Sequence, residues 1–281
     1  MDERVGIERG EVHIVTLRHT VRRNAVDGAM ARALYQAVLD FEADEEARVL
    51  VLCGEGGTFC AGADLKALTE GRGNPIEPMP SVGAGSSGER SDVGALPHSL
   101  GPMGPTRLVT TKPTIAALSG YAVAGGLELA LWCDLRVCEE DTTLGVFCRR
   151  FGVPLIDGGT VRLPRLIGLS RALDLILTGR PVGADEALSM GLVNRVVGRG
   201  EARDAAVSLA RSLCTLPWRC LVNDRRATYD GLDLASWDAL TRELELGLDT
   251  LASGETLAGA ERFRAGAGRH GGTVAPGDGR P

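Results

Sequence analysis

Apolar positions along this chain recur at two different periods, and the change from one to the other marks its elements. Val5 and Ile7, then the residues from Val12 to Leu17 beyond a turn at Gly10, alternate as an opening β-hairpin does. From Asp27, a residue suited to capping a helix start, Met30, Ala33, Leu34, Ala37, Val38 and Phe41 fall at helical spacing and predict one buried stripe. Residues 48–53 form a continuous apolar run that ends at Gly54, as expected of a strand covered on both faces. The pattern returns as a strand over 113–119, a helix from about 126 to 132 and a strand over 134–138. Strands alternating with helices predict an α/β architecture. Beyond Gly158 helices dominate, over 170–178, 184–190, 201–214 and 236–251, with one short strand at 193–197.

The 281 residues therefore divide into a core over 1–198, a C-terminal helical region over 199–270 and a tail over 271–281. The helices of the second part either cap the core or meet another subunit. Residues 71–105 hold eight glycines and six prolines, too little apolar surface to fold alone, and predict a flexible loop inside the core. With aromatic residues at 4%, packing falls to Ala, Val, Leu and Gly. A net charge of -6 argues against a nucleic-acid partner, which needs clustered Lys and Arg. No apolar run approaches the roughly 20 residues of a membrane span, and the charged start predicts a cytoplasmic protein with no membrane partner. Seven cysteines, never spaced Cys-x-x-Cys, predict free buried thiols. The four histidines are scattered, so neither a metal site nor a Ser-His-Asp triad has its parts.

Two segments carry candidate chemistry. Residues 54–66, GEGGTFCAGADLK, leave a strand through a glycine-rich turn and enter a short helix. A dinucleotide fingerprint fails there because Phe59 stands where its third glycine belongs, which leaves a plain strand-to-helix turn as the simpler reading. Residues 115–135, IAALSGYAVAGGLELALWCDL, end a strand and start an uncapped helix at Gly125-Gly126. Its free N–H donors favour an anion. Glu128 follows in the first turn, either as a favourable dipole charge or, among Ala, Val, Leu and Trp, as a carboxyl whose pKa desolvation raises toward acid/base use. Backbone donors converging from both segments would make an oxyanion hole.

Together with Arg23-Asn24-Ala25-Val26, the segments Cys60-Ala61-Gly62-Ala63-Asp64-Leu65-Lys66 and 115–135 resemble the enoyl-CoA hydratase/isomerase (crotonase) superfamily, in order and in spacing. The resemblance runs from about Val5 to about Arg269. It implies the crotonase-like (ClpP/crotonase) fold, a superhelical core of repeated ββα units with a C-terminal helical region that builds a homotrimer or a dimer of trimers. It implies an acyl-CoA thioester as partner, with coenzyme A part of the substrate and no separate cofactor. Ala63 and Gly125 match the residues whose N–H groups hold the thioester oxygen, and Glu128 matches a catalytic glutamate. Ala61, Asp64, Leu65, Lys66 and Gly126 match the strip along the CoA moiety, while Arg22 or Arg23 reaches a phosphate.

The pattern departs at one place. The hydratases carry a second glutamate twenty residues after the first, and here that position is Cys148. A thiol is mostly neutral at pH 7 and orients water poorly. Asp157 is a candidate substitute, though an aspartate before Gly-Gly-Thr also predicts a helix N-cap, and Cys148 reads as a packed thiol before it reads as a nucleophile. The expected function is an enoyl-CoA hydratase-like lyase working through an enolate. Its alternatives are double-bond isomerisation or decarboxylation on the same site, or acyl-CoA binding with little catalysis.

Overall fold

The structure is a computed structural model that describes residues 2–78 and 99–267. Most of the loop expected over 71–105, and all of the tail over 271–281, lie outside the described residues. The chain opens with strands β1 (Val5–Glu8) and β2 (Val12–Leu17), helix α1 (Gly28–Ala43), strand β3 (Val49–Gly54) and the short helix α2 (Leu65–Thr69). Two ββα units follow: β4 (Thr114–Leu118), β5 (Tyr121–Val123) and α3 (Gly125–Trp132), then β6 (Leu135–Glu139), β7 (Thr143–Gly145) and α4 (Gly159–Ile167). The remainder is α5 (Leu169–Thr178), β8 (Val182–Gly183), α6 (Ala184–Ser189), β9 (Arg195–Val197), α7 (Ala202–Cys214), α8 (Trp218–Gly231), α9 (Ser236–Ala252) and α10 (Glu255–Arg264).

β1 and β2 pair antiparallel, and β2, β3, β4, β6 and β9 continue in parallel as a six-stranded sheet. β5, β7 and β8 form a second, three-stranded sheet. Because strand residues point alternately to either face, β3 and β4 feed two cores at once. Leu50, Leu52, Ala116 and Leu118 pack toward α1 and α3, while Val49, Val51, Cys53, Ile115 and Ala117 pack against Ala202, Ala206, Leu209 and Ala210 of α7. Both faces being covered is why these strands read as unbroken apolar runs.

α7, the first helix past the expected boundary at 198, packs on the sheet: Ala202, Ala206 and Ala210, spaced by four on one face, cover its second face. The cap of α1 is as expected: Asp27 accepts the Met30 N–H at 3.0 Å, and all six residues of the stripe are buried. The cysteines are free thiols, six of them buried. Among the described residues no helix is long and apolar enough to cross a membrane.

Candidate active site

Main-chain hydrogen bonds bring the two glycine-rich segments together. Asn24 donates through Nδ2 to the carbonyls of Glu55 and Thr58, at 2.9 and 2.6 Å, and pins the turn after β3. Past that turn, Cys60 N–H donates to Tyr121 O at 2.9 Å and Val123 N–H to Cys60 O at 3.1 Å. On the other side of the same stretch, Val26 N–H donates to Gly62 O at 2.8 Å and Asp64 N–H to Val26 O at 2.9 Å. This is a parallel bridge in which residue 63 is the member whose own amide points away from its neighbour.

The second amide comes from a helix start. Gly125 is the first residue of α3, and no side chain caps that end, so its N–H has no partner in the helix. Ala124 precedes it at φ 55° and ψ -128°, a strained conformation for a residue with a side chain, and is held there by its own N–H bond to Gly145 O at 2.9 Å. The segments touch. A Cβ at Gly62, whose φ is +96°, would lie 3.0 Å from Gly125 N, and a Cβ at Gly126 would lie 2.2 Å from Cys60 O. Among the described residues, neither Ala63 N–H nor Gly125 N–H has an acceptor, and both residues line one cavity of about 540 Å³.

Glu128 lines that cavity too and is only 3% exposed. Its Oε1 accepts two main-chain N–H groups, from Asp157 at 3.0 Å and from Gly159 at 2.8 Å. Burial, together with the neighbouring Asp157 charge, pushes its pKa up to about 7, against the pull of those two donors and of Arg162. Cys148 lies in the same cavity, and burial beside Glu128 raises its pKa, so its thiol is neutral.

Asp157 is the second carboxyl of the cavity, and it does not cap a helix. The cap position of α4 is taken by Gly158 in a left-handed conformation at φ 93°, with no side-chain bond. The Asp157 carboxylate turns instead to residues 103–106, where Oδ1 accepts Met103 N–H at 2.9 Å and the Thr106 hydroxyl. Burial raises its pKa, opposed by those two bonds. Met103 in turn lays its thioether against Gly125, whose missing Cβ would meet the sulfur at 2.7 Å. The far end of the expected flexible loop is thus a buried wall of the site: Pro102 and Met103 are buried and line the cavity.

The other expected site residues separate into two groups. Ala61 and Leu65 line the cavity beside Ala63. Asp64 does not: its carboxylate caps α2, accepting the N–H groups of Lys66 and Ala67 at 3.0 Å each. Gly126 does not either, because it serves the close packing of α3 on Cys60. Lys66 and Arg23 are exposed and Arg22 is half-buried, all outside the cavity lining. Arg23 stacks over the Tyr121 ring at 5.4 Å, and its carbonyl accepts Ala61 N–H at 3.0 Å, which sets it next to the lining. Met103, Thr106 and Arg162 were not singled out from the sequence. Met103 hides in the stretch that composition alone reads as loop, and Thr106 directly follows it.

Residues 8–78 and 106–264 match the family described as Enoyl-CoA hydratase/isomerase. The chain is 39% identical over 205 residues to enoyl-CoA hydratase EchA19 of Mycobacterium tuberculosis, covering 73% of this chain and 72% of that one. It is 35% identical over 193 residues to the carnitinyl-CoA dehydratase of Salmonella enteritidis, covering 68% and 67%. Among solved structures, enoyl-CoA hydratase EchA1 from Mycobacterium marinum aligns with a TM-score of 0.81 at 30% identity, over 94% of this chain and 96% of that one.

Proposed function

The chain belongs to the enoyl-CoA hydratase/isomerase family of the crotonase superfamily, and we propose that the cavity of about 540 Å³ is where its chemistry takes place. It is an enoyl-CoA hydratase-like enzyme acting on an acyl-CoA thioester. In this reading the thioester oxygen accepts the two unpaired amides of Ala63 and Gly125. Charge that develops on that oxygen as the α-carbon loses or gains a proton is met by donors already in place. The common intermediate is an enolate.

Glu128 moves the proton. Two main-chain donors occupy Oε1 and leave Oε2 for the α-carbon. With a pKa of about 7 the group is close to half-ionised at neutral pH, so it can act as base in one direction and acid in the other. Asp157 contributes through Glu128, as the like charge that helps hold it there. Hydration further requires a water at the β-carbon, and position 148 offers only a neutral thiol to orient it. That observation favours a second reading, isomerisation or decarboxylation of an acyl-CoA through the same enolate.

The CoA moiety would run over Ala61 and Leu65 toward Lys66, Arg22 and Arg23, which hold no ion pair among the described residues and are placed to meet phosphates. Coenzyme A comes as part of the substrate, and the thioester with its two amide donors supplies the electron sink without a metal or redox group. A homotrimer or dimer of trimers accounts for α9, which exposes Trp237, Leu240, Leu244, Leu248 and Leu251. Seven free thiols suit a reducing compartment such as the cytoplasm.

The observation that carries this reading is the convergence of two unpaired amides and a carboxyl poised near neutrality in one cavity. The test is α-proton exchange of a saturated acyl-CoA in heavy water. Exchange that disappears in Glu128→Gln supports it. A wild-type protein that binds the thioester tightly and exchanges nothing is a binding protein. Hydration is read separately from the loss of enoyl absorbance of crotonyl-CoA.

A further inference from the structure

Glu128 is oriented by a turn, residues 157–159, that gives it two amides and no side chain. The turn itself is locked from two sides. Arg162, in the first turn of α4, donates through Nη1 to Asp157 O at 2.8 Å and through Nη2 to Thr106 O at 2.7 Å. In the reverse direction the Asp157 carboxylate accepts Met103 N–H and the Thr106 hydroxyl. One planar guanidinium therefore fastens the turn to Thr106, three residues beyond the Met103 that lines the cavity, a geometry that its fixed fork of donors suits and a single ammonium does not.

The charge of Arg162 is as telling as its bonds. The side chain is half-buried, and no carboxylate pairs with it among the described residues. Burial disfavours its charge, and Tyr229, then the carboxyls of Glu128 and Asp157, act on it in the opposite sense at longer range. The groups that face Glu128 are few. Asp157 and Arg162 approach from the turn and α4, and the neutral Cys148 from the 147–151 segment. Arg107 of the 105–107 segment bears on Asp157. Arg149 and Arg150 are tied to the carbonyls of Ile176 and Gly179, and β5 offers only Tyr121.

We propose that Arg162 is a positioning residue for Glu128, fixing the turn that aims its carboxylate and supplying the cation that favours the ionised form. The proposal rests on Glu128 being the proton-transfer group. It has a sign: without the cation the anion is less stable, the proton is held to higher pH, and less base is present at any given pH.

The test uses the full chain as wild type, Arg162→Gln and Arg162→Lys. Glu128 protonation is followed through the carboxyl infrared band that Glu128→Gln lacks, alongside the pH profile of α-proton exchange. In Arg162→Gln the midpoint should move up by roughly one pH unit, leaving roughly fivefold less base at pH 7, and exchange should slow by more than that factor because the fork is lost too. Arg162→Lys should keep the midpoint but lower kcat with KM unchanged, because the charge survives and the fork does not. A midpoint unmoved in a folded Arg162→Gln overturns the proposal, as does a shift in Arg162→Lys equal to that in Arg162→Gln. If Arg162→Gln does not fold, Arg162→Lys decides: reduced kcat at an unmoved midpoint supports the proposal, and unchanged kcat overturns it. Should the wild type exchange no α-proton, the reading of the reaction falls while the infrared titration still measures the influence of Arg162 on Glu128.

Discussion

The main-chain N–H of Asp157 donates to Oε1 of Glu128 at 3.0 Å, so the residue whose charge raises the Glu128 pKa also holds the carboxyl that it perturbs. Backbone attraction and side-chain repulsion meet at one position. The balance leaves a glutamate that is firmly oriented yet near its midpoint at neutral pH.

Glu128→Gln should abolish α-proton exchange, by at least about a hundredfold, while acyl-CoA affinity measured by calorimetry stays within about threefold. The wild-type rate should rise with pH through about 7 as the base form appears.

The same substitution should stabilise the fold in alkaline solution. The folded pKa of Glu128 is about 7 against an ordinary value of 4.5, so the native state binds this proton more tightly than the unfolded chain. Stability is then lost as pH rises from 4.5 through 7. Thermal or denaturant unfolding at pH 8 should find Glu128→Gln more stable by on the order of 2–3 kcal/mol. The gap should close near pH 4.5.

Cys148→Ala should leave exchange within about twofold and lower stability by roughly 1 kcal/mol, the loss of a small packed side chain. An exchange rate that collapses instead would assign the thiol a direct part in the reaction.

Gly126→Ala places a methyl group 2.2 Å from the Cys60 carbonyl. The contact is with backbone, which cannot step aside without parting the segments that present Ala63 and Gly125. Unfolding should show a loss of roughly 2–3 kcal/mol, and exchange should fall far more than CoA-ester affinity does.

Leu244→Asp with Leu248→Asp puts two charges on the exposed apolar stripe of α9. If α9 builds the proposed trimer, light scattering should show the mass fall to that of a monomer with helix content intact. An unchanged mass would remove α9 from the interface.

Much of this molecule was legible in its residue pattern, for reasons the structure makes plain. The α1 stripe, the apolar runs of β3 and β4 and the desolvated Glu128 are local consequences of spacing and neighbours. β5 and β7, at three residues each, are shorter than any period that could announce them. α8 buries only Asn223, so there was no apolar face to find. Asp157 before Gly-Gly-Thr has the chemistry of a cap, and the choice was made by partners outside its own helix, Met103 and Thr106. Met103 lies in, and Thr106 directly after, a stretch rich in glycine and proline, and their burial is decided by tertiary contact, which composition does not report.

Asp157 holds Met103, and the thioether of Met103 rests on Gly125, so the proton-handling half of the pocket and the half that would grip the oxygen share a single linkage. A drift at one end reaches the other as misalignment. Inherited change at 103, 125 or 157 would therefore be tolerated chiefly in combination, and variants that have diverged at one of these positions should carry a compensating change at another.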